Sequence, residues 1–302
     1  MSKSYLRKAR FLYSVCIAVL SVSTAMGKIV VYETDFDALV PGQTQYQPGD
    51  PNHDGWFLLG ADTDGYGQIQ SDIARGLYAL EQFAAIEAGT GHQTINKREL
   101  VRPDLSVHPR VTLQADFFAH TSDPNARNTY TASLKVLGGP HPGYEILAFH
   151  LYSGNGNIKG DDGVSLSVYA FDGKDNHFVI PLSVGQHLQW DRWHSVELVI
   201  DQQQDGYVSI TVDGQSQDIS GYALHRSYYQ GQWRRGQWID CFHAEIVPTD
   251  NFGAQTDDVS YFDNISLTVG CPDEFLSDLN YDCLVNMFDL AMLASEWLAG
   301  QL

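Results

Sequence analysis

Basic residues are scarce in this chain: 18 Lys and Arg stand against 37 Asp and Glu over 302 residues, and no basic tract occurs beyond the first ten positions. Nucleic acid is therefore excluded as a partner, because polyanion recognition runs on clustered cations that displace counterions. Glutamate is scarce too, with 9 Glu against 28 Asp. Glu favours helices whereas Asp favours turns, caps and oxygen-rich cation sites, so the imbalance points to a loop-rich β protein with a place for Ca2+. Long apolar runs are missing outside 11–22, and that run falls short of the about 20 residues a membrane-spanning helix needs. Neither a G-x-S-x-G elbow nor an H-E-x-x-H helix occurs, which removes two common hydrolase classes. What is present is apolar material, 43% of the chain, enough to bury a sizeable core and to exclude a disordered polymer.

Residues 1–27 carry Lys3, Arg7, Lys8 and Arg10, then the apolar run, then small residues around Ala25 and Gly27. This three-part pattern predicts a secretory signal and an extracellular protein, with no membrane span once the signal is removed. Cys16 leaves with it, and Cys241, Cys271 and Cys283 remain in a compartment that permits disulfides. Cys271 and Cys283 lie close together and flank one motif, so they are expected to pair. By chain entropy such a short loop contributes about 3 kcal/mol. Cys241, inside the apolar run 238–246, is expected to be a buried thiol.

From 28 to 270 one unit recurs: five to nine residues rich in Val, Ile, Leu, Phe and Tyr, then a break of Gly, Asp, Asn or Pro. The pattern predicts strands over 29–36, 111–120, 130–137, 145–152, 164–171, 177–184, 193–201, 207–213, 237–247 and 259–269. With no comparable helical run between them, the expected fold is all-β, an antiparallel jelly-roll sandwich. Alternation assigns faces: Val111, Leu113, Ala115, Phe117 and Ala119 oppose Gln114, Asp116 and His120, while Leu147, Phe149 and Leu151 oppose His150 and Tyr152. Val164, Leu166, Val168 and Ala170 likewise oppose Tyr169. A concave sheet surfaced with Gln114, Asp116, His120, His150, Tyr152 and Tyr169 suits a sugar, whose hydroxyls need hydrogen bonds and whose ring faces stack on aromatics. The stretch 228–238 adds Trp233, Arg234 and Trp238 as candidates for stacking and for pairing with a uronate or sulfate group.

The segment 190–214, WDRWHSVELVIDQQQDGYVSITVDG, reads as a hairpin. It resembles the W-H-x-V-x-L-x-x-D…V-x-V-D-G signature of the concanavalin A-like jelly-roll superfamily, which includes laminin-G-like modules and many glycan-binding or glycan-cleaving domains. Tyr261-Phe262-Asp263-Asn264-Ile265 resembles the closing strand of such domains, which pairs with the first strand, here Glu33 to Asp37. That resemblance implies that Asp35 or Asp37 approaches Asp263 and holds a structural Ca2+. A laminarinase-type hydrolase would show E-x-D-x-x-E, and Glu33-Thr34-Asp35 has Ala38 where the second Glu belongs. A jelly-roll lyase needs a Tyr or His base with a group to neutralise the substrate carboxylate. Arg98-Glu99-Leu100-Val101-Arg102 resembles the R-x-E-L-R strand of alginate lyases, with His150 and Tyr152 as partners across the groove, but the family's Q-I-H and Y-x-K-x-G strands are absent.

The last segment, 271–302, carries the most specific motif. Asp278, Asn280, Asp282, Leu284, Asn286 and Asp289 fall at positions 1, 3, 5, 7, 9 and 12 of an EF-hand-like loop, the oxygen spacing that wraps Ca2+. Position 6 is Cys283 instead of Gly, and position 12 is Asp instead of Glu. A helix is predicted over 289–298. The pattern resembles a single dockerin repeat, which implies a Ca2+ cofactor and a cohesin-like or cell-surface protein partner. The sequence thus reads as a secreted polysaccharide-binding protein with a Ca2+-dependent attachment module. The alternatives are a polysaccharide lyase or glycoside hydrolase of the same fold, and a laminin-G-like adhesion module that binds protein.

Overall fold

A computed structural model of the chain describes residues 28–43, 55–59, 66–83, 93–97, 100, 102–120, 131–139, 144–152, 163–174, 176–229, 232–246, 259–271, 283 and 287–298. Two antiparallel sheets face each other across one core. With strands numbered along the chain, the larger sheet runs in the order β15 (Gln215–Asp218), β14 (Gly206–Val212), β13 (Trp193–Asp201), β7 (Arg110–His120), β19 (Val259–Gly270), β5 (Ala79–Phe83), β4 (Tyr66–Gln70) and β2 (Gly42–Gln43). A ninth strand, β1 (Lys28–Thr34), pairs with β19 over Ile265 to Gly270, whereas β5 takes Val259 to Phe262. The smaller sheet has the order β10 (Ser165–Ser167), β9 (Tyr144–Tyr152), β8 (Thr131–Gly139), β18 (Trp238–Ile246), β6 (Gln93–Lys97) and β3 (Trp56–Leu59). Two ribbons, β11 (Tyr169–Phe171) with β12 (His177–Val179) and β16 (Ser227–Tyr229) with β17 (Gln232–Arg234), lie outside both sheets. Sequentially distant strands such as β7 and β19 are sheet neighbours, as in a jelly-roll sandwich.

The alternating side chains explain the layering. Val111, Leu113, Ala115, Phe117 and Ala119 of β7 and Leu134, Val136, Leu147, Phe149 and Leu151 of β8 and β9 are all buried in one apolar cluster between the sheets. Ile146 departs from the alternation and joins the core, because a register shift next to Val136 and Leu137 puts one extra residue into β9. The expected strand over 164–171 splits at Val168, whose carbonyl accepts from the Ile180 amide. The strand expected over 177–184 ends at Val179, just before Pro181, which has no amide hydrogen to extend a ladder.

The hairpin motif has a local reason. The His194 ring, almost fully buried, sits 2.7 Å from Asp213 Oδ2 through Nδ1 and 3.0 Å from the Gln189 carbonyl through Nε2, while the Ser195 amide donates to Asp213 Oδ1 at 2.9 Å. Asp213 and Gly214 both take positive φ, 49° and 79°, as the tight turn into β15 requires. His194 and Asp213 thus tie the start of one strand to the turn that closes the next.

The C-terminal helix α1 (Met287–Leu298) begins two residues before the expected 289. Cys271 and Cys283 are bonded, as expected, and Cys241 is a buried free thiol. Among the described residues no helix is long and apolar enough to cross a membrane.

Candidate functional site

Cross-strand partners project from the same face of a sheet, so the register builds the outer surface of the six-stranded sheet residue by residue. His150 of β9 is flanked by Ser133 of β8 and Ser167 of β10, Tyr152 is paired with Ser165, and Lys135 stands beside Ala148 and His243. On this surface the His150 and Tyr152 rings stack at 6.1 Å with 19° between their planes, and Tyr169 meets His150 edge-on at 5.0 Å. The hydroxyls of Tyr152 and Tyr169 are 2.7 Å apart and hydrogen-bonded. Tyr169 is fixed from behind, since the buried Tyr207 hydroxyl donates to its carbonyl at 2.7 Å.

The cluster continues through His225, His177 and Phe171, which sequence reasoning did not single out, to Trp233, which it did. His225 lies 6.4 Å from the Tyr169 ring and 4.1 Å from His177, which in turn meets Trp233 at 4.7 Å and Phe171 at 5.7 Å. The β16–β17 ribbon sits against the N-terminal part of β9, where the Glu145 amide donates to Ser227 Oγ and the Gly236 amide donates to the Glu145 carbonyl. Trp233 stands at the far end of the run of rings that leads from His150 through Tyr169, His225 and His177. His177, His225 and Glu145 carry no motif: His177 opens β12, Glu145 is the second residue of β9, His225 lies in irregular backbone before β16, and only the fold places them together.

Glu145 Oε1 is 3.2 Å from His225 Nδ1, but among the described residues that nitrogen has no hydrogen-bond partner, so the contact is misaligned. Burial decides the titration instead: together with the nearby Lys135 charge it pushes the His225 imidazole down to about 4. His177 is also lowered, first by burial and then by His225. On the other sheet Asp263 is raised to about 6 by burial, against the opposing effect of its hydrogen bonds from the Arg75 and Asn264 amides. The two large shifts oppose each other in stability. As pH falls from 6.5 towards 4 the unfolded chain takes up a proton that folded His225 refuses, which costs stability. Over nearly the same window folded Asp263 keeps a proton that the unfolded chain releases, which adds stability. Replacing His225 with Phe removes one side of this balance. The urea midpoint of the variant relative to the unmodified chain is expected to rise as pH is lowered from 6.5 towards 4; a difference independent of pH would refute the assignment.

The sequence-predicted sugar residues divide between two surfaces. His150, Tyr152 and Tyr169 share one, with Trp233 at its border. Gln114, Asp116 and His120 project from β7 on the opposite outer face of the sandwich, because β7 belongs to the other sheet. There Gln114 bonds Glu197, Asp116 pairs with Arg75 at 2.8 Å and accepts from Asn264, and His120 pairs with Asp191. Arg234 alternates away from Trp233 along β17, is exposed, and donates to Gln232. Trp238 packs on Gly139, where an added Cβ would lie 1.9 Å from its ring, so glycine is required by contact there. Arg235 bonds the Gln202 carbonyl and, with Arg226, the Asp205 carboxylate.

Of the two carboxylates expected near Asp263, Asp37 is close enough for its charge to add to the rise of Asp263, and its Oδ1 accepts from the Leu77 and Tyr78 amides. Asp35 is exposed and accepts from the Asp37 amide, whereas both Asp263 oxygens accept from backbone amides. Asp278, Asn280, Asp282, Leu284 and Asn286 lie outside the described residues, as do Arg98, Glu99 and Val101. Asp289, in the first turn of α1, is 3% exposed.

No protein-family model matches the chain, and no curated protein matches it. Solved structures similar to it include a carbohydrate esterase from Shiga toxin-encoding bacteriophage phi24B, at 13% identity and a TM-score of 0.47 over 81% of this chain and 100% of that one. Alginate lyase Aly36B matches at 13% identity and 0.46, over 78% and 95%. An endo-1,3-β-glucanase from Streptomyces sioyaensis matches at 13% and 0.43, over 82% and 98%. All three are carbohydrate-active enzymes. The reading of the chain as a polysaccharide-binding protein is corrected: its residue set is split between opposite faces and does not form one binding surface.

Proposed function

We propose that this chain is a secreted polysaccharide-cleaving enzyme of the lyase class, which breaks uronate-bearing glycans by β-elimination on the outer face of the six-stranded sheet. The observation that carries this reading is the hydrogen-bonded hydroxyl pair of Tyr152 and Tyr169, 2.7 Å apart, against the His150 ring. Elimination needs a base for the proton next to the carboxylate and an acid for the departing glycosidic oxygen. An imidazole serves as the base near neutral pH, so His150 takes the carbon-bound proton. As the carbon–carbon double bond forms and the carbon–oxygen bond breaks, the tyrosine pair delivers a proton to the leaving oxygen, one hydroxyl relaying to the other. Lys135, on the neighbouring strand and the same face, supplies positive charge for the substrate carboxylate. Trp233 and Phe171, with rings 5.5 Å apart, offer flat apolar surface to a neighbouring sugar.

Hydrolysis fits this surface less well. It calls for two carboxyl groups flanking the scissile bond, whereas Glu145 is buried beside His225. The deciding assay incubates the chain with polyuronates and neutral glucans and follows both new reducing ends and the ultraviolet absorbance of unsaturated uronate. Unsaturated product from a polyuronate is expected. Reducing ends from a neutral glucan without unsaturated product would overturn the lyase reading.

The export signal over 1–27 and a Ca2+ loop over 278–289 belong to the same reading. Support for the loop comes from Cys283, whose φ of 60° is the left-handed conformation for which such loops ordinarily use Gly, and from the buried Asp289 where the helix begins. Attachment to a cohesin-like or cell-surface protein rests on the sequence resemblance alone. Calorimetric titration of the full chain is expected to show Ca2+ binding that Asp278→Ala with Asp282→Ala removes; no heat at millimolar Ca2+ would sink the loop.

A further inference from the structure

A turn remote in sequence meets Cys271 and Cys283 where the sandwich passes into the tail. The register pairs Gly270 with Arg110, so Cys271, the next residue, lies beside the turn that leads into β7. That turn is closed by hydrogen bonds: the Val107 and His108 amides donate to the Asp104 carbonyl, and the Ser106 amide and hydroxyl both donate to Asp104 Oδ1. It presents the His108 ring with Nδ1 3.5 Å from Cys283 Sγ. The His108 nitrogen and the sulfurs of Cys271 and Cys283 all lie within 4.8 Å of one another, and they are the one group of three metal-ligating side chains so placed among the described residues.

We propose that His108, Cys271 and Cys283 form an oxidation-controlled site for a thiophilic divalent cation such as Zn2+. In the oxidised chain the sulfurs are bonded to each other and are not thiolate ligands. Two equivalents of a low-molecular-weight thiol supply two electrons and two protons; the sulfur–sulfur bond breaks, both cysteines become thiols, and the reductant leaves as its own disulfide. A metal ion then displaces the two thiol protons and takes two thiolates and the imidazole, with water completing a tetrahedral set. Two soft sulfurs with one imidazole select Zn2+ over Ca2+, which takes oxygen ligands. The junction of tail and sandwich is thereby held covalently in one redox state and by the metal in the other.

The test uses the full chain with excess Ca2+, so that the oxygen-rich loop does not compete, and Co2+ as a spectroscopic probe. After reduction by a phosphine, one Co2+ per chain is expected to bind with a thiolate-to-cobalt charge-transfer band, and the oxidised chain is expected to give none. His108→Ala is expected to weaken the reduced site by about tenfold or more, with His108→Gln as a second variant should the first fail to fold. Cys241→Ser is expected to change nothing. No charge-transfer band in the reduced chain, an affinity unchanged from that of the unmodified chain in the His108 variants, or a band that disappears with Cys241→Ser would each overturn the proposal. None of these readouts depends on polysaccharide cleavage.

Discussion

Replacing His150 with Ala is expected to lower kcat on a polyuronate by about 10²- to 10⁴-fold, the usual contribution of a positioned proton-transfer group. Tyr152→Phe and Tyr169→Phe keep the rings that pack on His150, one stacked and one edge-on, and remove one hydroxyl each. Each is expected to reduce kcat with little change in KM. Because the hydroxyls act as one hydrogen-bonded unit, the double variant should be scarcely worse than the more damaging single one. Trp233→Ala, at the border of the surface, should instead raise KM, since it removes stacking area and leaves the proton-transfer groups in place. Steady-state kinetics on a purified polyuronate, read through unsaturated product, separates these effects. An unchanged kcat for His150→Ala would remove this residue from the chemistry.

The largest loss of stability is expected from Trp56→Ala. Trp56 is 0% exposed. It stacks on Phe242 of the same sheet at 6.0 Å, touches Phe36 at 5.9 Å, and donates from Nε1 to the Tyr32 hydroxyl of the opposite sheet at 2.9 Å. Truncation opens a cavity between the sheets and is expected to cost about 3–5 kcal/mol. It also leaves the Tyr32 hydroxyl without its Trp56 donor. Trp56→Phe keeps most of the apolar volume and loses the indole N–H, so it should cost much less than the Ala variant. Urea denaturation of both variants makes the comparison, and equal losses would show that the hydrogen bond, more than the volume, holds this end of the sandwich closed.

Much of the fold was legible in the sequence because β faces repeat every two residues. The alternation in 111–120 and 164–170 named the buried side chains directly, and it failed at Ile146 only because a bulge inserts a residue that no local pattern marks. The strands β4 and β6 escaped notice because YGQIQ and QTINK carry too few apolar residues to stand out from loops, and β3, though apolar, is only four residues long. The candidate site was legible in part. Alternation put His150 and Tyr152 on one face, but nothing local reveals which sheet a strand joins, so Gln114 and Asp116 were grouped with residues on the far side. His177, His225 and Glu145 were invisible for a different reason: their proximity depends on how two ribbons fold back over β9. His108 is the extreme case, a turn residue that meets Cys283 only because β7 and β19 are neighbours.

The pairing of the first strand with the last has a consequence for how this domain can be carried. Lys28 lies opposite Gly270 in the ladder between β1 and β19, so the sandwich begins and ends at one place on its surface. A domain with adjacent termini can be inserted into a loop of another protein, or reopened elsewhere and rejoined through a short linker, with little disturbance of its core. For this chain the linker would join 270 to 28, and a new opening at the Asp172–Lys174 turn would fall in exposed residues between β11 and β12.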